Sequence, residues 1–200
     1  MGDARLDLVI AGVGGQGVIT LATLIAEAAL ARGTEATVAE THGLSQRGGS
    51  VVVHVRVGRA GAPLIKRGGA SLMLALDALE AARYAGFLHP GSTAIVENHV
   101  IRPPLSGVEP PSPGMIESAL SAAGVRVYMV NARERSVELG NPRAANVYLL
   151  GYALGLGAFN GVLGLDDVRA AIGRVLRRPE QNIRVLEEAY REAAARAEAL

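Results

Sequence analysis

The sequence predicts an α/β fold of the Rossmann-like type, an open and mostly parallel sheet with helices on both faces. Residues 8–11 are an apolar run that ends in a glycine-rich stretch, and Val18–Ala31 then repeats apolar residues at helical spacing. Further along the chain, β-branched runs alternate with helical patterns, as in α/β folds. Hydrophobic residues make up 50% and aromatic residues only 4%, which is typical of a core of Ala, Val and Leu between helices and a parallel sheet.

The first unit is predicted to be a strand, a tight glycine loop and a helix. Glycine lets another group approach the backbone closely, and the N–H groups at a helix start attract negative charge. Phosphate is therefore the expected ligand. Glu40, which ends the next strand-like run, lies where an acid would meet a ribose in a dinucleotide site. The alternative is that these glycines only permit a sharp turn and close packing of helix on sheet. The loop residues in question are Gly12, Gly14, Gly15, Gln16 and Gly17.

The strands that follow are predicted from short β-branched or apolar runs. Ser50–Val57 has valines on one entire face, which indicates a half-buried or buried strand. Asp77 is placed as the N-cap of a helix that covers residues 78–87. The other predicted strands are 36–39, 70–77, 93–96 and 125–130.

The remaining helices are predicted from caps and apolar stripes. Ser112-Pro113 should open a short helix that Gly124 closes, and Asn141-Pro142 should open a helix that reaches Phe159. Asp166 is expected to cap a helix over 167–177, and a last helix from Ile183 carries an apolar stripe that packs on the rest of the fold.

Residues 147–155 are apolar all round, which predicts burial on every side. Gly151 and Gly155 lie one helical turn apart in this segment. Its cover is either another subunit or the C-terminal helices of the same chain.

Length and composition favour a single domain over residues 1–200 and exclude several classes of function. Lys and Arg number 20 against 19 acidic residues, so no broad field attracts nucleic acid or a membrane surface. No leader precedes the first strand and no apolar run is long enough to span a bilayer, so a cytoplasmic location is expected. Cysteine is absent, which excludes disulfides, thiolate catalysis and cysteine-held iron–sulfur clusters. The 4 histidines lack metal-ligand spacing, and no metal site is assigned.

A second loop, residues 40–50, joins two strands at the carboxyl edge of the predicted sheet, where open α/β sheets place their ligands. Arg47 offers a planar fork of donors suited to phosphate or carboxylate, and Gln46 adds a neutral polar contact. Gly48 and Gly49 clear space at the backbone. We expect this loop to lie next to the glycine loop of the first unit and to form one site with it, whereas the alternative is a solvated loop whose arginine caps a carbonyl.

Gly12-Val13-Gly14-Gly15-Gln16-Gly17 together with residues 40–51 resembles the gamma-type subunits of 2-oxoacid:ferredoxin oxidoreductases. Within that family the chain is most similar to the small (beta) subunits of indolepyruvate-using enzymes, and the likeness covers nearly the whole chain. The resemblance implies a heteromeric complex that oxidatively decarboxylates an arylpyruvate to an aryl-acyl-CoA and passes electrons to ferredoxin. It also implies that a large partner subunit holds thiamin diphosphate, magnesium and the 4Fe–4S clusters.

The resemblance implies no catalytic residue in this chain. It suggests that the chain completes the active site and helps to receive coenzyme A, with backbone amides of residues 12–17 and the side chain of Arg47 meeting phosphates or the partner. Two rival hypotheses stay open at this point. One is a scaffold subunit of the same complex that touches no ligand, and the other is a free-standing oxidoreductase that binds NAD or a flavin.

Overall fold

The computed structural model describes residues 5–42, 48–58, 61–102, 107 and 109–198. Gln46 and Arg47 lie outside these described ranges. The chain forms one six-stranded sheet, with helices between its strands and after the last strand. The strands are β1 (Leu6–Val13), β2 (Ala36–His42), β3 (Ser50–Val57), β4 (Ala70–Ala75), β5 (Leu88–Glu97) and β6 (Arg126–Val130). The α-helices are α1 (Val18–Ala31), α2 (Ala78–Tyr84), α3 (Pro113–Ala122), α4 (Ala132–Glu138), α5 (Ala145–Gly155), α6 (Leu165–Val175) and α7 (Pro179–Glu198), and a short 3-10 helix (Ala85–Phe87) follows α2.

The strand order is β2-β3-β1-β4-β5-β6. The pairs β1–β4, β4–β5 and β5–β6 are parallel, whereas β3 runs antiparallel to both of its neighbours. The predicted open and mostly parallel α/β sheet is confirmed. The antiparallel β3 separates β1 from β2, which a standard dinucleotide-binding fold would pair directly.

Two apolar clusters cover the two faces of the sheet. On one face, Leu8, Ile10 and Leu74 contact a core that includes residues of α1, α5, α6 and α7. On the other face, Val9, Ala11 and Met73 belong to a core with residues of α2 and α3. This division follows from the alternation of side chains along a strand. Helices therefore cover both faces, as predicted.

The adjacent parallel strands β1 and β4 send their chains to opposite faces of the sheet. β1 continues into α1 in the first cluster, and β4 continues into α2 in the second. Such a divergence opens a crevice beyond the carboxyl ends of the two strands, where open α/β sheets bind ligands. The topology thus places a candidate site at residues 14–17 and 76–77.

The apolar helix α5 is covered by the C-terminal helix of the same chain. A Cβ added at Gly151 would lie 2.3 Å from the carbonyl oxygen of Leu186, and one at Gly155 would lie 2.3 Å from that of Tyr190. Both glycines are therefore needed for the backbones of α5 and α7 to approach closely. Of the two covers considered for this segment, the intrachain one is present.

Several helix boundaries match the sequence patterns. α1 has the predicted bounds, Asp77 caps α2 by accepting hydrogen bonds from the N–H groups of Leu79 and Glu80, and Ser112 caps α3. Pro113 occupies the first turn of α3, where its missing N–H costs nothing.

Two predicted helix starts are wrong. Asn141-Pro142 does not open α5, which begins at Ala145; instead, the Asn141 side chain donates to Asn182 of α7 at 3.2 Å. Asp166 is not a cap, because Gly164 is the N-cap of α6 and its N–H donates to Asp167 Oδ2 at 2.7 Å. In both places a longer-range or neighbouring contact decides the boundary, and the local capping preference is overridden. The highly charged helix α4 was not predicted.

Among the helices that the described ranges contain, none combines the length and the apolar character that crossing a bilayer requires.

Candidate functional site

The glycine loop leaves the start of α1 open to a ligand. Gly15 and Gly17 have φ values of +101° and +85°, a conformation that side chains other than glycine rarely adopt. Gly17 is the N-cap of α1, and no side chain within the described residues caps this helix or places an acid in its first turn. The helix start therefore presents N–H groups and a partial positive charge that suit an anion.

Gln16 fixes the shape of the loop through its side chain. Its Oε1 accepts a hydrogen bond from the N–H of Val13 at 2.7 Å, and its Nε2 donates to the carbonyl of Leu76 at 2.8 Å. Its side chain thereby ties the loop after β1 to the end of β4, across the crevice between these strands. This geometry makes Gln16 a positioning residue of the loop.

The glycine loop and the second loop meet at the carboxyl end of β1. The N–H of Gly14 donates to the carbonyl of Gly49 at 2.8 Å, and Val13 pairs with Ser50 in the β1–β3 ladder. Gly48, with φ of +73°, has open space where a side chain would begin. The described end of the second loop, residues 48–50, thus lies beside the glycine loop, whereas Gln46 and Arg47 fall outside the described residues.

A polar cluster anchors the second loop where it enters β3. Ser50 Oγ donates a hydrogen bond to the buried carboxylate of Glu80 on α2, and the Tyr84 hydroxyl lies 2.7 Å from Ser50 Oγ. Arg83 Nε donates to the other oxygen of Glu80 at 3.2 Å. These contacts fix the position of Gly49 and Ser50 relative to α2.

A cavity of about 480 Å³ opens beside the glycine loop in the crevice between β1 and β4. It lies within the range of about 300–1,000 Å³ that is common for small-molecule sites. Three exposed arginines from different parts of the chain lie along its wall, and we call it the arginine cavity. It is lined by Gly15, Gln16, Gly17, Thr20, Leu76, Ile101, Arg133, Pro142, Arg143, Ala145, Asn146, Val147, Leu176, Arg177 and Asn182.

The charges of the arginine cavity favour an anionic ligand. Arg133, Arg143 and Arg177 line it, and the salt bridges found among the described residues use other arginines. Asn146 is buried at the cavity wall, where its Nδ2 donates to the carbonyl of Gly17 at 3.2 Å. Guanidinium groups bind phosphate and carboxylate through paired donors, so this wall complements a phosphorylated molecule.

A second cavity of about 510 Å³ lies on the other side of the glycine loop. We call it the valine cavity, because Val13, Val18 and Val51 line it together with Ile19 and Glu40. Glu40 has a partner of its own within the structure. Since β3 lies between β1 and β2, Glu40 is one strand farther from the loop than the ribose-binding acid of a dinucleotide site.

Two buried carboxylates support the wall of the arginine cavity. Besides capping α2, Asp77 accepts the N–H of Ile101 at 2.6 Å through Oδ2. Glu97, at the end of β5, accepts the N–H of Arg133 at 3.1 Å. Both carboxylates are almost fully buried, at 1% and 3% exposure, and each holds a residue that lines the cavity.

Residues 7–192 match the family described as pyruvate ferredoxin/flavodoxin oxidoreductase. The chain belongs to this family. It is 39% identical over 194 residues to the indolepyruvate oxidoreductase subunit IorB of Archaeoglobus fulgidus, covering 94% of this chain and 96% of that protein. The prediction that the chain is a subunit of an oxidoreductase of this type is thereby confirmed.

Solved structures of the family share the fold. The gamma subunit of a keto/oxoacid ferredoxin oxidoreductase from Geobacter sulfurreducens matches with a TM-score of 0.71 and 22% identity, over 95% of this chain and 99% of that one. The 2-oxoglutarate:ferredoxin oxidoreductase of Magnetococcus marinus, solved with 2-oxoglutarate, coenzyme A and succinyl-CoA bound, matches with a TM-score of 0.67 and 20% identity over all of this chain and 32% of that one.

The sequence-predicted site residues have different roles in this family member's structure. Gly12 is a packing position, because an added Cβ would lie 2.8 Å from Val18 and 2.9 Å from Gln16. The N–H of Gly14 already donates a hydrogen bond to the carbonyl of Gly49. Gly15, in contrast, is exposed and borders both cavities. Ligand binding by these residues, and by Gly48, stays a prediction.

The cavity arginines were missed by the sequence analysis. Arg133 lies three residues beyond the end of β6, in the first turn of α4, and a residue just beyond the carboxyl end of a parallel strand is a candidate for the site edge, which is a usable signal. Arg143 and Arg177 lie in connections between helices, and nothing in their local sequence places them at the crevice.

Metal-ligand groups are relevant to this chain because the resemblance implies magnesium and iron–sulfur clusters in the complex. The described residues contain no group of three or more His, Asp or Glu side chains placed to hold a metal ion, and the chain has no cysteine for an iron–sulfur cluster.

Burial of Glu97 predicts a pH dependence of stability. Desolvation raises the pKa of Glu97 from its ordinary value of 4.5 to about 7, although the backbone N–H of Arg133 and its charge oppose the shift. A raised folded-state pKa stabilises the fold fully below pH 4.5, and this stabilisation is lost as the pH rises through 7. As the pH rises from 4.5 to above 7, we expect the free energy of unfolding of Glu97→Gln to increase relative to that of the native chain by up to about 3 kcal/mol.

Urea unfolding of the native chain and of Glu97→Gln at a series of pH values measures this gain. The exposed Glu138, replaced by Gln in the same way, is the control and should show no such trend. A free-energy difference between Glu97→Gln and the native chain that stays constant from pH 4.5 to above 7 would contradict the assignment.

Proposed function

We propose that this chain is the small subunit of a 2-oxoacid:ferredoxin oxidoreductase that converts an arylpyruvate such as indolepyruvate to its acyl-CoA. The observation that carries the proposal is the 39% identity, over nearly the full length of both chains, to a subunit named for indolepyruvate. The chain contributes one wall of the active site and a binding surface for coenzyme A. It functions as a single domain over residues 1–200 in the cytoplasm.

The coenzyme A role is supported by the charge and shape of the crevice. A phosphate at the start of α1 would meet the uncapped first turn of the helix and the backbone at Gly15 and Gly17. Arg143 and Arg177 supply guanidinium groups for further phosphate oxygens, and Arg47 is proposed to do the same from the second loop. A molecule with several phosphates and a long neutral arm fits a site with the basic arginine cavity on one side of the loop and the valine cavity on the other.

The chain's own contribution to the reaction is binding and positioning. Gln16 holds the loop at a fixed distance from the end of β4, and Asp77 and Glu97 hold the cavity wall. Thiamin diphosphate, magnesium and the 4Fe–4S clusters are proposed to reside in a large partner subunit, where thiamin supplies decarboxylation and the clusters supply electron transfer to ferredoxin. Binding coenzyme A in a fixed orientation raises the effective concentration of coenzyme A at the reacting centre.

Isolation of the complex tests the proposed partnership. The tagged chain, purified from its native cell extract, should bring down a larger cysteine-bearing protein that contains thiamin diphosphate and iron. The assembled material should form an acyl-CoA and carbon dioxide from indolepyruvate when coenzyme A and oxidised ferredoxin are supplied. If the chain is recovered alone and binds NAD with a rise in melting temperature, the free-standing oxidoreductase is correct instead.

Alanine variants of the arginines test the coenzyme A surface. We expect Arg143→Ala, and separately Arg47→Ala, to raise the apparent KM for coenzyme A about tenfold to thirtyfold with little change in kcat, because each removes a charge-assisted hydrogen bond of about 1.5–2 kcal/mol. Steady-state kinetics of the assembled complex, with the other substrates saturating, provide the measurement.

The control for these variants is Arg191→Ala, which removes an exposed arginine of α7 that pairs only with Glu188 among the described residues. It should leave the KM for coenzyme A unchanged. If Arg143→Ala and Arg47→Ala also leave this constant unchanged, or only reduce the yield of complex, the chain is a scaffold that touches no ligand.

A further inference from the structure

The buried carboxylate of Glu97 lies directly behind the wall of the arginine cavity. Its backbone is the last residue of β5, and its side chain receives the N–H of Arg133 at the first turn of α4. The position of Arg133 in the cavity wall therefore depends on Glu97.

Among the described residues, Arg133 and Asp77 are the charged side chains that act on the carboxyl of Glu97. From α4 it faces Arg133, whose positive charge favours the ionised carboxylate, and from the end of β4 it faces Asp77, whose charge opposes it. His99 follows on the same connection, with its side chain exposed and its N–H bonded to the carbonyl of Glu97 at 2.8 Å. β6 contributes the carbonyl of Val130, which accepts the N–H of Asn98.

We propose that Glu97 is a positioning residue that couples the binding of a doubly charged anion in the arginine cavity to the uptake of one proton. The proposal rests on the proposed function, in so far as the cavity receives a phosphorylated ligand. An ionised Glu97 attracts Arg133 towards the sheet and repels an incoming anion. A neutral Glu97 still accepts the N–H of Arg133 but leaves the guanidinium charge to the ligand.

Burial favours this coupling in two ways. A carboxylate that is 3% exposed is poorly screened, so its charge acts over the short distance to the cavity wall more strongly than an exposed charge would. The pKa of Glu97 is also raised to about 7 by desolvation, so the proton exchanges near neutral pH. By linkage, an anion that raises this pKa further binds more tightly as the pH falls.

Sulfate is a suitable probe, because it stays doubly charged throughout the pH range of interest. Calorimetric titration of the full chain with sulfate should give an affinity about tenfold higher near pH 5.5 than near pH 8.5, which corresponds to a shift of the pKa of Glu97 by about one unit on binding. In Glu97→Gln the affinity should be the same at both pH values and close to the low-pH affinity of the native chain.

Two control variants separate Glu97 from neighbouring groups. Glu138→Gln changes an exposed carboxylate at the far end of α4, and His99→Gln removes the histidine nearest to Glu97 along the chain. Both should keep the native pH dependence. A near-native far-ultraviolet circular dichroism spectrum and a cooperative melting transition identify folded variants.

Two outcomes would overturn the proposal without touching the proposed function: a sulfate affinity that does not vary with pH, or a pH dependence that survives in Glu97→Gln and disappears in His99→Gln. Absence of any sulfate binding near pH 5.5 would overturn the anion site of the cavity itself. The proposed oxidoreductase complex would then still be tested by co-purification, so the two failures are distinguishable.

Discussion

Gly151→Ala is expected to lower the free energy of unfolding by about 3 kcal/mol or more. The new Cβ would lie 2.3 Å from the carbonyl oxygen of Leu186 and 3.0 Å from Cβ of Ala189. Both obstructing atoms are rigid parts of α7, so the clash is relieved only by moving one helix away from the other. Separation of packed helices loses close contacts along their whole length, which is the costly form of overpacking.

Chemical unfolding of the native chain and the variant measures this loss. Gly173→Ala is a matched control, because Gly173 lies inside the α-helix α6 and an added Cβ there meets no atom within 4 Å. The control should be neutral or stabilise by up to about 1 kcal/mol through helix propensity. A Gly151→Ala variant as stable as the control would show that the contact between α5 and α7 is looser than the structure has it.

Gly15→Asp is expected to raise the apparent KM for coenzyme A by about tenfold to a hundredfold in the assembled complex. Gly15 is exposed, borders both cavities and has open space where a side chain would begin. An aspartate at this position adds a negative charge at the helix start, where a phosphate is proposed to bind. The variant therefore opposes the ligand by repulsion and by occupying its place.

Gly33→Asp is the control for backbone strain. Gly33 follows α1 at the opposite end of the helix, has φ of +74° and, like Gly15, meets no atom within 4 Å of an added Cβ. Because both glycines have a positive φ that other residues rarely adopt, both variants should carry a cost in backbone strain, and only Gly15→Asp adds its charge at the glycine loop. Equal constants for coenzyme A in the two variants would remove the glycine loop from the binding site and leave it a structural turn.

The element patterns of the sequence predict a large part of the fold. The helical repeat of apolar residues places α1 at its observed bounds, and valines at alternate positions place β3. Each element buries one face, and the periodicity of its apolar residues is visible within its own sequence, so no distant contact is needed to recognise it. The start of α5 could not be found in this way, because Asn141 makes its side-chain contact with α7 and not with the following turn.

The candidate site was predictable only in its glycine loops. Gly15 and Gly17 signal an unusual backbone from their own identity, and the resemblance to the family rests on the same residues. The role of Gln16 depends on the end of β4, and the role of Gly14 on Gly49, which lies far along the chain. Gln46 and Arg47 lie outside the described residues, so their binding role stays a prediction.

The sequence by itself determined the α/β class, the strand–loop–helix unit at the start and the family, because each is encoded in local periodicity or in a contiguous motif. Only the tertiary structure decided that β3 enters the sheet antiparallel between β1 and β2, that α7 covers α5, and that Arg133, Arg143 and Arg177 share one cavity wall. These features arise from contacts between residues far apart in the chain. No local propensity records such contacts, since they are selected by the joint burial of apolar faces.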